Sequence, residues 1–206
     1  MWNCWETNNI DDVEFISTLL HHLETTLTID SSRIFITGVS GGALMTYRLG
    51  AELSDTIAAI APVAGSIGGI EYSPKPDESL DPYIIPEPAT PLPVIVFHGM
   101  HDHAVPYEGG WVNFLKLGLF EMWNYLLSVN DSVAFWVEHN KCDPIPIITK
   151  TVSGRMITRT YTNGSQDSEV VVVTYVNGIH EWFFSPPHEL SATDLMWEFF
   201  DRHPKQ

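Results

Sequence analysis

The chain has 206 residues, of which 44% are hydrophobic and 12% aromatic, a composition that supports a sizeable core and excludes a disordered chain. Ten basic residues against 26 acidic ones give a formal charge of −16; phosphate binding needs clustered positive charge, so nucleic acid and an anionic membrane surface are excluded as partners, and a polyanionic substrate fits poorly. No apolar run approaches the length of a membrane span, no linker or internal repeat divides the sequence, and residues 1–206 read as a single α/β domain.

The N-terminus, "MWNCWETNNIDD", has neither a basic start nor an apolar stretch, so no secretory leader is expected there. Cys4 in this segment and Cys142 far downstream are too few for a disulfide scaffold and lie in no CxxC spacing; pairing and two free thiols are both open. Residues 11–27 place Val13, Ile16, Leu19, Leu20, Leu23 and Leu27 on one helical face, with Asp11 or Asp12 as cap. "RIFIT" is a strand, followed at once by Gly38-Val39-Ser40-Gly41-Gly42 and a helix from about Gly42 to Leu53. "TIAAIAPVAG" is apolar throughout, as in a strand covered on both faces.

Residues 66–93 hold seven of the 14 prolines and are expected to be an irregular lid or binding excursion. "LPVIVFHG" is the third strand. Residues 109–128 are apolar without a clean period and read as a helix or a flap over a site. "DSVAFWVEHN" is a helix capped by Asp131, "GRMITRTYTNG" a hairpin, "EVVVVTYVNG" the fourth strand, and "SATDLMWEFFDRH" a closing helix with Ser191 and Asp194 at capping-box spacing. This alternation is that of an α/β fold built on a mostly parallel sheet flanked by helices.

In such sheets, sites form beyond the carboxyl ends of the strands. Ser40 follows the first strand, Asp102 the third and His180 the fourth. Serine, acid and histidine in that chain order are the order of α/β-hydrolases. A serine hydroxyl needs an imidazole to take its proton, and the imidazole needs a carboxylate to fix its tautomer. The glycines around Ser40 suit a strained turn between a strand and a helix, and the N–H of Gly41 is placed for an oxyanion. For Ser40 alone the competing reading is a glycine-rich turn with a hydroxyl cap. Trp182, two residues past His180, and Trp111 and Trp123 in the apolar segment are candidates for stacking a flat neutral substrate; the competing reading for each is ordinary core.

"HGMHDH" offers a rival from another class, a metal-dependent hydrolase using His98, Asp102 and His103. Met100 stands where such a motif needs a second histidine and His101 is one place off, so the serine reading, with no metal or cofactor, is preferred.

With these residues identified, the sequence resembles the polyhydroxybutyrate depolymerase and feruloyl esterase group of α/β-hydrolases, through "DDVEFISTLL", "IDSSRIFITGVSGGALMTYRLGAELSDTIAAIAPVAG", "HGMHDHAVPYEGG", "SVAFWVEHNKC" and "SATDLMWEFFDRHP". The resemblance implies a secreted carboxylic ester hydrolase acting on polyester oligomers or on feruloyl, acetyl or aromatic esters, with Ser40 as nucleophile, Asp102 as acid and His180 as base. Members of that group carry further strands and a second oxyanion donor upstream of the block that begins here near Asp11. The chain is therefore expected to lack the group's first strands, leaving "RIFIT" as a sheet edge open to self-association. Loss of one oxyanion donor costs about a hundred- to a thousandfold in turnover, so a weakly active or inactive hydrolase-like domain is the alternative.

Overall fold

The computed structural model describes residues 2–6, 9–117 and 120–205. Helix α1 (Asp12–Thr26) starts at Asp11, whose carboxylate accepts the Glu14 N–H at 2.8 Å. Strand β1 (Phe35–Val39), helix α2 (Gly41–Glu52) and strand β2 (Ala59–Val63) form the first strand-helix-strand unit, with β1 and β2 parallel. Strands β3 (Gly68–Ser73) and β4 (Tyr83–Ile84) follow, then β5 (Val94–Gly99) and the hairpin β6 (Gly110–Leu117) and β7 (Phe120–Leu126). Helix α3 (Val129–Asn140), strands β8 (Ile147–Lys150), β9 (Met156–Tyr161) and β10 (Val170–Tyr175), and helix α4 (Ala192–Arg202) complete the order.

The main sheet runs β1-β2-β5-β10-β9-β8. Its first four strands are parallel and its last two join antiparallel. Strands β2, β5 and β10 are buried along their whole length, which is why they read as mainly Val, Ile and Ala. One core lies between the sheet and α2 and α3; the other lies beneath α4, where Phe35 stacks on Phe200 at 4.5 Å. Strand β1 is the terminal strand on its side. Among the described residues, no helix is long and apolar enough to cross a membrane.

A second, antiparallel sheet runs β4-β3-β7-β6, and here sequence and structure part. The 66–93 excursion is not wholly irregular: β3 is complete before the first of its prolines, Pro74, and β4 is a two-residue strand between Pro82 and Pro86. The 109–128 segment is a hairpin and not a helix, with residues 118 and 119 outside the described ones. A register shift between Asn113 and Leu115 interrupts the alternation that would have announced it. The cap of helix α3 lies three residues before the expected one. Ser128 is its N-cap, and Asp131 is the third residue of the helix, reciprocating with the Ser128 N–H at 3.0 Å. Ser191 does cap α4, accepting from Thr193 N–H at 3.1 Å, but Asp194 closes no box. Strand β8 was not foreseen: it is fully exposed and pairs β9, while Asn163-Gly164 lies in the connection to β10.

Helix α2 packs against the ends of β1 and β2 at near backbone contact. A Cβ on Gly38 would lie 2.5 Å from the Gly42 carbonyl oxygen, and one on Gly65 would lie 2.4 Å from Ala43 Cβ. Gly38→Ala is therefore expected to destabilise the fold by about 1–3 kcal/mol through overpacking, seen as a lowered urea midpoint at unchanged slope; an unchanged midpoint would refute the close approach.

Candidate active site

Ser40 occupies the turn between β1 and α2 with φ 57° and ψ −122°. An L-residue in this region is strained by about 1–3 kcal/mol. Three hydrogen bonds hold it there: its N–H donates to Val63 O at 3.0 Å, and its carbonyl accepts from Ala43 and Leu44 at 2.8 and 3.1 Å. The conformation is the one a nucleophile elbow needs, with the side chain lifted off the strand end. Gly41 is the first residue of α2, so its N–H belongs to the helix turn that has no intrahelical acceptors.

Asp102 and His180 come together because their loops share backbone. Met100 N–H donates to Tyr175 O at 3.0 Å and His101 N–H to Gly178 O at 2.9 Å. A Cβ on Gly99 would sit 2.4 Å from the Gly178 backbone, so glycine is required where these loops meet. His180 Nδ1 lies 2.9 Å from Asp102 Oδ2. A carboxylate only accepts, so the proton sits on Nδ1 and the Nε2 lone pair is free to take another.

The Asp102 side chain is fully buried and every part of it is engaged. Oδ1 accepts the Ala104 and Val105 N–H groups at 2.9 and 2.8 Å, and Oδ2 also faces His98 Nε2 at 3.4 Å. Burial drives the carboxyl pKa up, but the hydrogen bonds from His180, His98 and Val105 outweigh it and hold the group well below the usual carboxylate range. His98 Nε2 lies 2.8 Å from Val105 O; a carbonyl only accepts, so this nitrogen carries the proton. His98 is thus a fully buried buttress that the metal reading had taken for a ligand. Among the described residues, no three His, Cys, Asp or Glu side chains converge at metal-binding spacing, and His98, Asp102 and His103 make no such group.

Ser40 stands two strands from the Asp102 loop on the same edge of the sheet. Among the described residues it makes no hydrogen bond with His180, so the acid–base half of the expected relay is assembled and the serine is not yet coupled to it. Catalytic hydrogen bonds are often open before substrate is bound.

Ser40 and Gly41 line a cavity of about 500 Å³ together with Trp5, Leu44, Val112 and Leu126, with Glu71, Asn113 and Asn124 as its polar wall and His103 at its rim. Trp182, Trp111 and Trp123 do not line it. Trp182 packs on the core beneath α4 and donates its indole N–H to Thr193 at 3.0 Å. Trp111 faces a different cavity, and Trp123 donates to Glu121 at 3.2 Å. The aromatic wall is instead Trp5, 4% exposed, from the N-terminal segment in which no role was read. The buried Arg48 of α2 donates to Asn3 O at 2.6 Å, and the Cys4 thiol meets Gly41 O at 3.4 Å, which clamps residues 3–5 beside the elbow. Cys4 and Cys142 are both free and buried. Burial pushes the Cys4 thiol up to about 12, which makes it inert.

A carboxyl held low in the folded state stabilises the fold above its unfolded value of about 4 and loses that contribution as pH falls through the folded value. Asp102→Asn should therefore lower stability at neutral pH, with the gap to the native chain closing as the pH drops below about 4. Urea unfolding of both chains across that range checks the sign; a gap that widens toward acid would contradict it.

No family model matches the chain. Among curated proteins it is 33% identical over 100 residues to feruloyl esterase B of Piromyces equi, covering 48% of this chain and 17% of that one. It is 27% identical over 107 residues to a probable feruloyl esterase C of Aspergillus niger, covering 52% of this chain and 34% of that one, and 23% identical over 105 residues to a bifunctional acetylxylan esterase/xylanase of Neocallimastix patriciarum, covering 50% and 13%. The chain thus spans about a third or less of the length of these relatives. Among solved structures it aligns with native pOPH at TM-score 0.56 and 16% identity, covering 98% of this chain and 56% of that one. With an acetyl xylan esterase from Aspergillus awamori the TM-score is 0.52 at 13% identity, covering 92% and 67%. The chain has the α/β-hydrolase fold and is related in sequence to feruloyl and acetylxylan esterases.

Proposed function

We propose that this chain is a serine carboxylic ester hydrolase. The observation that carries the reading is the pairing of a strained Ser40 at a strand-to-helix turn with a buried Asp102 that orients His180 from across the sheet. Ser40 Oγ attacks the ester carbonyl while its proton passes to His180 Nε2, and the charge that develops on the carbonyl oxygen meets the Gly41 N–H. The imidazolium returns its proton to the departing alkoxide, which leaves an acyl-enzyme. Water then attacks that acyl group with His180 again as base, releasing the acid and restoring Ser40. Asp102 stays ionised throughout, because its hydrogen bonds hold its pKa low.

The cavity bears on the substrate. Trp5, Leu44, Val112 and Leu126 offer an apolar slot beside the nucleophile, suited to a flat or short acyl group, and Asn113, Asn124 and Glu71 offer polar partners for an alcohol. Feruloyl and acetylxylan esterases, the relatives by name, act on esters of that description. Acetyl esters and feruloyl or other aromatic esters of a neutral polymer are the substrate class, with polyester oligomers as the second candidate, and a secreted enzyme is the setting this implies.

Two experiments test this. Labelling with a fluorophosphonate should place one adduct on Ser40, and Ser40→Ala should lose ester hydrolysis by at least roughly 10⁴-fold. Equal rates for the native chain and the variant on p-nitrophenyl acetate would sink the mechanism, and absence of both labelling and activity would favour a degenerate domain. Trp5→Ala should raise KM for cinnamoyl esters about tenfold while leaving acetyl esters nearly unchanged. A loss of kcat on both would instead make Trp5 a prop of the elbow.

A further inference from the structure

The small sheet has two faces, and only one of them belongs to the Ser40 cavity. Across β3, β7 and β6, Ile70 stands opposite Tyr125 and Tyr125 opposite Trp111. Side chains alternate along a strand. The next residues, Glu71, Asn124 and Val112, face the Ser40 cavity; Ile70, Tyr125 and Trp111 therefore face away from it and line a separate cavity of about 350 Å³. The Trp111 and Tyr125 rings are 5.4 Å apart at 59°, and both are only half-buried. The loop between β3 and β4 forms the facing wall, with Leu80, Glu78 and Asp81. The Asp77 carboxylate is occupied by the Ser79 N–H and hydroxyl at 3.0 and 2.6 Å. Glu78 and Asp81 bond no other described residue, and they join no cluster at metal-binding spacing. They stand as separate acceptors around an aromatic floor.

That chemistry selects its ligand. A ring that stacks on aromatic faces and also donates several hydrogen bonds to spaced carboxylates is a pyranose, with its C–H face on the rings and its hydroxyls at the rim. The charge of −16 excludes a polyanionic glycan. We propose that the Trp111–Tyr125 cavity binds a neutral polysaccharide chain and holds the polymer whose esters are cut on the other face of the same sheet. The binding site stands on this geometry; only the coupling to ester cleavage rests on the esterase reading.

The test is calorimetric titration of the full chain with unesterified xylohexaose, which offers the catalytic machinery nothing to cleave. Binding should persist at high salt and weaken roughly tenfold in Trp111→Ala and in Tyr125→Ala. The loop variant Glu78→Gln/Asp81→Asn, which leaves the sheet untouched, should weaken it several-fold. Should Trp111→Ala fail to fold by circular dichroism, Trp111→Phe and the loop variant carry the test. No binding by the native chain at millimolar sugar, or affinity unchanged in the aromatic and loop variants, would overturn the proposal. So would an attraction confined to a cationic oligosaccharide such as chitohexaose lacking its acetyl groups and abolished by salt. p-Nitrophenyl acetate hydrolysis, measured beside the titration, reports on the esterase reading separately.

Discussion

The structure depends on one close approach: helix α2 lies against the ends of β1 and β2 with no side chain between backbones at Gly38 and Gly65. Because the helix starts that near to the strand it follows, the chain must reverse within a single residue, and Ser40 takes the positive φ that makes this possible. The strain is held by the hydrogen bond from Ser40 N–H to Val63 O, which continues the β1–β2 ladder by one rung, and by the helix that its own carbonyl begins. A nucleophile needs to be presented away from the strand, and the same geometry brings the first N–H groups of the helix beneath it. The position of Ser40 and that of the Gly41 N–H are thus one constraint, set by two glycines.

A second pair of glycines repeats the logic on the other half of the site. Gly99 and Gly178 let the loops after β5 and β10 touch, and two backbone hydrogen bonds lock them. Asp102 is then fixed from both sides, by N–H groups of its own turn and by the imidazoles of His98 and His180. His98 explains how a carboxylate with no exposure can stay charged: it adds a donor on the buried side, where water would otherwise be needed. Behind it, Tyr107 crosses the His98 ring edge-on and bonds Thr174, which ties the acid's support to the wall of β10.

Much of this was legible in the sequence, for physical reasons that also explain the rest. The buried strands β2, β5 and β10 could be read because strands covered on both faces are apolar throughout; Asp102 and His180 were singled out because they follow β5 and β10, and Ser40 because a glycine turn sets it between β1 and a helix. The contact between Asp102 and His180 was expected from their places after the third and fourth strands; the close approach of Gly99 and Gly178 that permits it was not read. The second sheet was obscured by its prolines and by the register shift at Asn113, which breaks period two where it would have been diagnostic. His98 looked like half of a metal motif, since sequence cannot show that its ring points at a backbone carbonyl. The aromatic wall was misassigned for a similar reason. Proximity in sequence favoured Trp182, whereas Trp5 reaches the cavity through an anchor, Arg48, that lies more than forty residues downstream.

The two segments set apart by composition, 66–93 and 109–128, turn out to be partners. Each contributes strands that neither could stabilise alone, since a lone two-stranded hairpin is marginal in water, and together they raise a wall at the mouth of the main sheet. Their inner face sets Glu71 and Asn124 beside Ser40. Their outer face keeps the rings of Trp111 and Tyr125 half-exposed opposite the β3–β4 loop. A strand's alternation thus lets one thin element serve two surfaces. A change at an odd-numbered position of β7, such as Tyr125, acts on the outer face, and a change at its neighbour Asn124 acts on the cleft, although the two residues are joined by a single peptide bond.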